Sequence, residues 1–349
     1  MSVRRRVLGI AASAAGVAAA GTAIGVARQR RVIARRGAGD EAGLGSLRST
    51  PVTVVASDGV PLHVEVDEPD GRGAPVTVVF VHGYALNLDC WHFQRAGYRG
   101  LVRAVYYDQR SHGRSGRTTD GHATIDQLGR DLLQVLDDVT EGPVVLVGHS
   151  MGGMSIIALA EAHPELFGSK IVGVGLISTT AGGLEPHRLF APVLPRTIGS
   201  TLALRGVAFL GRGHRTVDVL RRASRAVATV ATDLFAFGDD VPESYVTFVD
   251  QMLSETPFEV IAEFFPSFGS LDKFETVAAL SSVPVSIVCG TGDRLTAIGH
   301  SRKLQSRIEG STLLECEGAG HMVILERHEQ VNAALDQLLA AAGERVTHR

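Results

Sequence analysis

Pro143-Val144-Val145-Leu146-Val147-Gly148-His149-Ser150-Met151-Gly152-Gly153 puts a serine at the junction of two kinds of secondary structure. The apolar run Val144–Val147, bounded by proline and glycine, reads as a buried strand. Met154–Ala162 reads as a helix. Between them Gly148-His149-Ser150-Met151-Gly152 fits G-x-S-x-G, and the glycines are needed because the strand-to-helix turn leaves no room for side chains beside the serine. Ser150 is the candidate nucleophile.

The same rhythm extends in both directions. Val76–His82, Ala104–Asp108, Val144–His149, Ile171–Ser178, Val285–Cys289 and Leu313–Cys316 read as buried strands, with helical stretches such as Ile125–Val139 between them. Val52–Ala56 and Leu62–Val66 alternate around Ser57-Asp58-Gly59, a hairpin signal. Strands alternating with helices predict an α/β fold: a mostly parallel central sheet with helices on both faces. Residues 184–275 break the rhythm, lack strand-like runs and read as an inserted helical cap. The core is then residues 51–183 and 276–349, preceded by an apolar segment at 1–36 and a Gly-rich linker at 37–50.

With these features the chain resembles the α/β-hydrolase family, from residue 51 to about 340. His82-Gly83-Tyr84, closing a β-run, looks like the family's oxyanion loop, and the resemblance implies that the backbone N–H groups of Tyr84 and Met151 are the oxyanion donors. Trp91 follows at a familiar spacing. Asp108-Gln109-Arg110-Ser111-His112-Gly113-Arg114-Ser115 resembles the loop D-x-R-G-x-G-x-S, with Ser111 in place of the usual glycine. A serine nucleophile needs a base, and the base an orienting acid. The family order is serine, acid, histidine. Gly290-Thr291-Gly292-Asp293 and Gly318-Ala319-Gly320-His321 each follow a strand and supply Asp293 as acid and His321 as base. The other acid position, after the strand ending near Ser178, holds Thr179, Thr180, Ala181 and Gly182 and no carboxylate. His82, His112, His149, His163, His300 and His328 read as packing or surface residues. Members that open epoxides or displace halide carry Asp at the nucleophile, so Ser150 implies acyl transfer.

Composition narrows the function further. A net charge of −3 over 349 residues gives no reason to expect nucleic acid. Cys90, Cys289 and Cys316 are too scattered for a disulfide framework or a metal site. Cys289 and Cys316, each ending an apolar run, read as buried thiols. No metal cluster, phosphate loop or dinucleotide fingerprint is present, and no cofactor is expected.

Ten of the 13 phenylalanines fall in the inserted segment, densest in Glu263-Phe264-Phe265-Pro266-Ser267-Phe268. They read either as an apolar acyl pocket over Ser150 or as ordinary helix packing. Residues 186–225 hold eight arginines against Asp218, and residues 233–275 hold ten acids against Lys273. This charge division suits either an anionic membrane surface or mutual pairing within the insertion.

Val7–Ala27 is 21 residues without a charge, flanked by Arg4, Arg5 and Arg6 and then by Arg28, Arg30, Arg31, Arg35 and Arg36. Its length and flanks predict a membrane-associated protein with a single N-terminal span. The arginine bias places the catalytic domain on the cytoplasmic side. Gly21 and Gly25 offer a GxxxG pair for a homodimer. Arg4-Arg5-Arg6-Val7-Leu8 alternatively reads as a twin-arginine export signal, and the Ala-rich run as a soluble helix.

The resulting expectation is a serine hydrolase that cleaves small-molecule or lipid carboxylic esters with an apolar acyl group through an acyl-enzyme. A thioesterase, a C–C bond hydrolase or a perhydrolase with the same triad remains open. So does a non-catalytic ligand-binding or membrane-associated module.

Overall fold

A computed structural model describes residues 25, 27–36, 43–71, 75–118, 121–184 and 225–348, with the backbone alone at 225–228. Eight strands form one sheet: β1 (Pro51–Val55), β2 (Pro61–Asp67), β3 (Thr77–Val81), β4 (Arg103–Tyr107), β5 (Val144–His149), β6 (Ile171–Ile177), β7 (Val285–Gly290) and β8 (Thr312–Cys316). Their order is β1-β2-β4-β3-β5-β6-β7-β8. β1 and β2 form the expected hairpin, β2 runs antiparallel to β4, and the remaining pairs are parallel.

The helices are α1 (residues 27–35), α2 (His92–Tyr98), α3 (Ile125–Val139), α4 (Met151–Ala162), α5 (Arg225–Ala236), α6 (Glu243–Glu255), α7 (Phe258–Ser270), α8 (Ile298–Arg307), α9 (Val323–Glu326) and α10 (His328–Thr347). Every residue of β3, β5, β6 and β7 is buried, as parallel strands covered on both faces must be. The period of two divides β5 between two cores. Val144 and Leu146 pack with Leu132, Val135, Ile156 and Leu304, from α3, α4 and α8. Val145 and Val147 pack with Leu335, Leu338, Ile324 and Ile33, from α10, α9 and α1. α5, α6 and α7 stand between β6 and β7 in sequence.

The N-terminal expectation needs correcting. Among the described residues no helix is long and apolar enough to cross a membrane, so a membrane-associated protein with a single span over Val7–Ala27 is not supported. Ala and Gly gain little from leaving water, and the segment that follows docks on the protein through Ile33 and Arg36 while Arg28, Arg30, Arg31 and Arg35 stay exposed. In α1, Ile33 is 1% exposed within the core. Just beyond it Arg36 Nη1 pairs with Asp233 Oδ1, and Arg36 Nη2 with Asp240 Oδ1, each at 2.6 Å. Gln29 adds a hydrogen bond to Asp233 at 3.0 Å. Residues 1–24, with the twin-arginine run and Gly21, lie outside the described residues, as do residues 185–224 with the arginine-rich half of the insertion. Residues 43–50, read as part of a linker, lie against the core. Gly45 N–H donates to His92 Nδ1 at 3.2 Å, Arg48 binds Asp89 twice, and Ser49 N–H donates to Glu65 at 2.9 Å.

Candidate active site

Four of the five sequence-predicted residues sit at carboxyl ends of parallel strands in one half of the sheet, where open α/β sheets bind ligands. Tyr84 follows β3, Ser150 follows β5, Asp293 follows β7 and His321 follows β8. Met151 opens α4 directly after the serine.

Ser150 has φ +54° and ψ −118°, a backbone conformation a side chain rarely adopts. Its N–H donates to Ile177 O at 2.9 Å, and its own carbonyl accepts from Thr179 Oγ1 at 2.7 Å. These bonds from β6 and the loop after it hold the strained turn. At Gly152 a Cβ would lie 2.0 Å from Val81 O, so α4 approaches the end of β3 as only glycine allows. The hydroxyl is thereby presented to His321, whose Nε2 lies 2.9 Å from Ser150 Oγ.

On the far side of the ring, His321 Nδ1 lies 2.9 Å from Asp293 Oδ2. Asp293 Oδ1 accepts from the N–H groups of Leu295 at 2.8 Å and Thr296 at 2.9 Å, and Oδ2 from Thr296 Oγ1 at 2.8 Å. Burial pushes this carboxyl up, but the His321 ring and the Thr296 donors outweigh it and hold Asp293 well below the usual carboxylate range. The acid is therefore an anion at neutral pH. Ser150 is 9% exposed, His321 6% and Asp293 5%.

Several supports escaped the sequence reading. His82, read as packing, accepts from Gln109 N–H at Nε2 (2.9 Å), which puts its proton on Nδ1, and Nδ1–H donates to Gly83 O at 2.7 Å. His149 Nε2 donates to His321 O at 2.9 Å, bracing the base from behind. Burial lowers His82 to about 4 and His149 and His112 to about 3, so all three rings are neutral at pH 7. Glu326 Oε1 accepts from Gly320 N–H at 2.7 Å and Oε2 from Gly238 N–H at 3.0 Å, tying the His321 loop to the residues after α5. Thr296 was visible as the threonine three residues beyond an aspartate, a spacing that closes a turn onto the carboxylate. Glu326 and the histidines act on backbone groups, and no sequence spacing marks that.

Of the inserted phenylalanines, Phe264 and Phe268 pack with Met151, Met154 and Val260 beside the nucleophile's helix. Phe235 is 40% exposed, and Phe190 and Phe209 lie outside the described residues. All three cysteines are free and buried. Among the described residues no group of His, Cys, Asp and Glu is placed to hold a metal.

The model of a family described as "Alpha/beta hydrolase family" matches residues 78–334. The 3-oxoadipate enol-lactonase 2 of Acinetobacter baylyi is 27% identical over 271 residues, covering 77% of this chain and 90% of that protein. A non-heme chloroperoxidase of Kitasatospora aureofaciens is 40% identical over 98 residues, 27% of this chain and 33% of the relative. Among solved structures, an enol-lactonase from Burkholderia xenovorans superposes with a TM-score of 0.66 at 23% identity, over 83% of this chain and 100% of that one. At that identity the superposition speaks for the fold.

Proposed function

The chain belongs to the alpha/beta hydrolase family and is a hydrolase, and from that premise we propose that it cleaves carboxylic esters through an acyl-enzyme on Ser150. One observation carries the reading: the unbroken line from Ser150 Oγ through both ring nitrogens of His321 to Asp293, with 2.9 Å at each step. Ser150 Oγ attacks the substrate carbonyl while His321 Nε2 takes its proton. Asp293 keeps the other proton on Nδ1 and stabilises the imidazolium. The Tyr84 and Met151 N–H groups receive the negative oxygen. As the tetrahedral intermediate collapses, the imidazolium delivers its proton to the departing alkoxide and leaves acylated Ser150. Water, deprotonated by His321, repeats the attack and releases the acid.

The inserted residues 184–275 are the cap in this reading. An apolar acyl group fits the packing of Phe264 and Phe268 beside Met151 and Met154. That the relatives include enol-lactonases, whose named activity is on a lactone, agrees with ester chemistry.

The purified protein is expected to hydrolyse p-nitrophenyl esters, with longer acyl chains favoured over acetate. Ser150→Ala is expected to lower kcat by about 10⁶-fold and to abolish labelling by a fluorophosphonate. Should the folded variant keep more than a few per cent of the activity, Ser150 is not the nucleophile.

A further inference from the structure

Gly83-Tyr84-Ala85-Leu86 forms a turn closed by Leu86 N–H to Gly83 O at 3.3 Å. Its third residue, Ala85, is left-handed at φ +57°, at a turn position that favours glycine. A Cβ makes that conformation strained, so the turn by itself gains by rotating Ala85 away, and Tyr84 would move with it. The turn stands directly against the nucleophile: a Cβ on Gly83 would lie 3.2 Å from the Ser150 Cβ.

Three contacts from the residues between β6 and β7 oppose that relaxation. Thr256, buried at the corner where α6 ends and α7 begins, donates from Oγ1 to Ala85 O at 3.0 Å. Met252 O also lies within reach of Oγ1 but farther, at 3.5 Å. The Tyr84 hydroxyl donates to Ile261 O in α7, and the Tyr84 ring meets Phe268 edge-on with centroids 4.8 Å apart. On the core side His82 holds Gly83 O. The turn is thus gripped from the sheet at its first residue and from the insertion at its second and third.

We propose that Thr256 is a positioning residue for the reaction: its hydroxyl holds Ala85 left-handed and so keeps the Tyr84 N–H aimed at the oxygen that becomes negative on attack by Ser150. The inference rests on the proposed roles of Ser150 and Tyr84. A donor that matters most when charge develops affects the transition state more than the bound ester. Disturbing it therefore lowers kcat and leaves KM nearly unchanged.

Thr256→Val keeps the side chain's shape and removes the donor. With p-nitrophenyl butyrate, kcat is expected to fall about 10-fold while KM stays within about two-fold. Thr256→Ser, which restores the hydroxyl, is expected to restore kcat. Because glycine takes a positive φ without strain, the Thr256→Val loss measured in an Ala85→Gly background is expected to shrink below about two-fold. If that ester is a poor substrate, the phosphonylation rate of Ser150 by a fluorophosphonate is read in the same way. A Thr256→Val variant with unchanged kcat overturns the proposal, as does a loss of equal size with alanine or glycine at 85. Ser150→Ala, run beside them, separates the levels. An active Ser150→Ala means that the underlying reading of the site fails, whereas an inactive one with an unaffected Thr256→Val removes only the role of Thr256.

Discussion

Strain at single residues concentrates around the site. Among the described residues, those with a side chain and positive φ are Ala85, Ser111, Ser150 and Ser178. Three of them border the carboxyl ends of β3, β5 and β6, and Ser111 lies in the loop after β4. Ser111 occupies the place where the resembled loop carries glycine, and its φ of +66° lies in the left-handed region that favours glycine. What offsets the strain is its side chain, since Ser111 Oγ accepts from Thr118 N–H at 2.8 Å. Ser111→Ala keeps the strain and loses the acceptor. Ser111→Gly loses the acceptor but removes the strain. The glycine variant is therefore expected to be more stable than the alanine variant by about 1 kcal/mol, measured by urea unfolding. Equal stabilities would mean that the φ is not strained here. The residues brought together as the candidate triad were legible because each follows a strand and sits in a glycine-bounded turn. Thr256 was not, because its partner is a backbone carbonyl 171 positions away, and nothing in a local pattern announces that.

At the scale of elements, the eight strands were legible to within a residue or two: β3, β5, β6 and β7 because a buried parallel strand needs both faces apolar and β-branched side chains fill them, and β1 and β2 through their alternation around a turn. α3 was legible for the matching reason: Ile125, Leu128, Leu132, Val135 and Leu136 recur on one face, and Thr124 caps it by accepting from Gln127 N–H at 3.1 Å. α1 was missed because its residues, rich in arginine, read as the charged flank of the apolar run Val7–Ala27, and one isoleucine among them does not mark a helix that docks through a single side chain. Ile33 is that side chain, packed in the core cluster that also holds Val230 and Phe237. Ile33→Ala is expected to weaken docking by about 2–4 kcal/mol. Because few contacts hold α1, the loss should be local. Hydrogen exchange should show faster exchange across residues 27–35 with protection in β5 and β6 unchanged. A parallel loss in β5 would show instead that α1 unfolds only with the whole molecule.

The molecule as a whole has its pH dependence written into its interior more than its surface. With 34 basic and 37 acidic side chains the net charge near neutrality is small, so specific buried groups set the slope. His82, His112 and His149 are fully buried, and desolvation holds them at about 4, 3 and 3, below the ordinary value of 6.5. In the unfolded chain all three take up protons below that value, whereas in the folded chain they remain neutral until much lower pH. Between about 6.5 and 4 the unfolded state therefore binds more protons, and stability falls as pH falls, by up to about 1.4 kcal/mol per pH unit for each ring. Asp108 and Glu326, pushed up by burial, take their protons first in the folded state and offset part of this. Below that window Asp58 and Asp293, held well under the usual carboxylate range by Arg110 and by His321 respectively, and Glu65 at about 2 extend the loss. The expected outcome is a urea midpoint that is flat from pH 8 to 7 and drops steeply from pH 6 to 4. His112→Asn keeps a donor for Arg110 O, which His112 Nδ1 meets at 2.9 Å, and removes one titrating ring. Its midpoint is expected to be less steep with pH by roughly a third of the histidine contribution, one proton in three. A variant as steep as the wild type would place the acid sensitivity in the carboxylates.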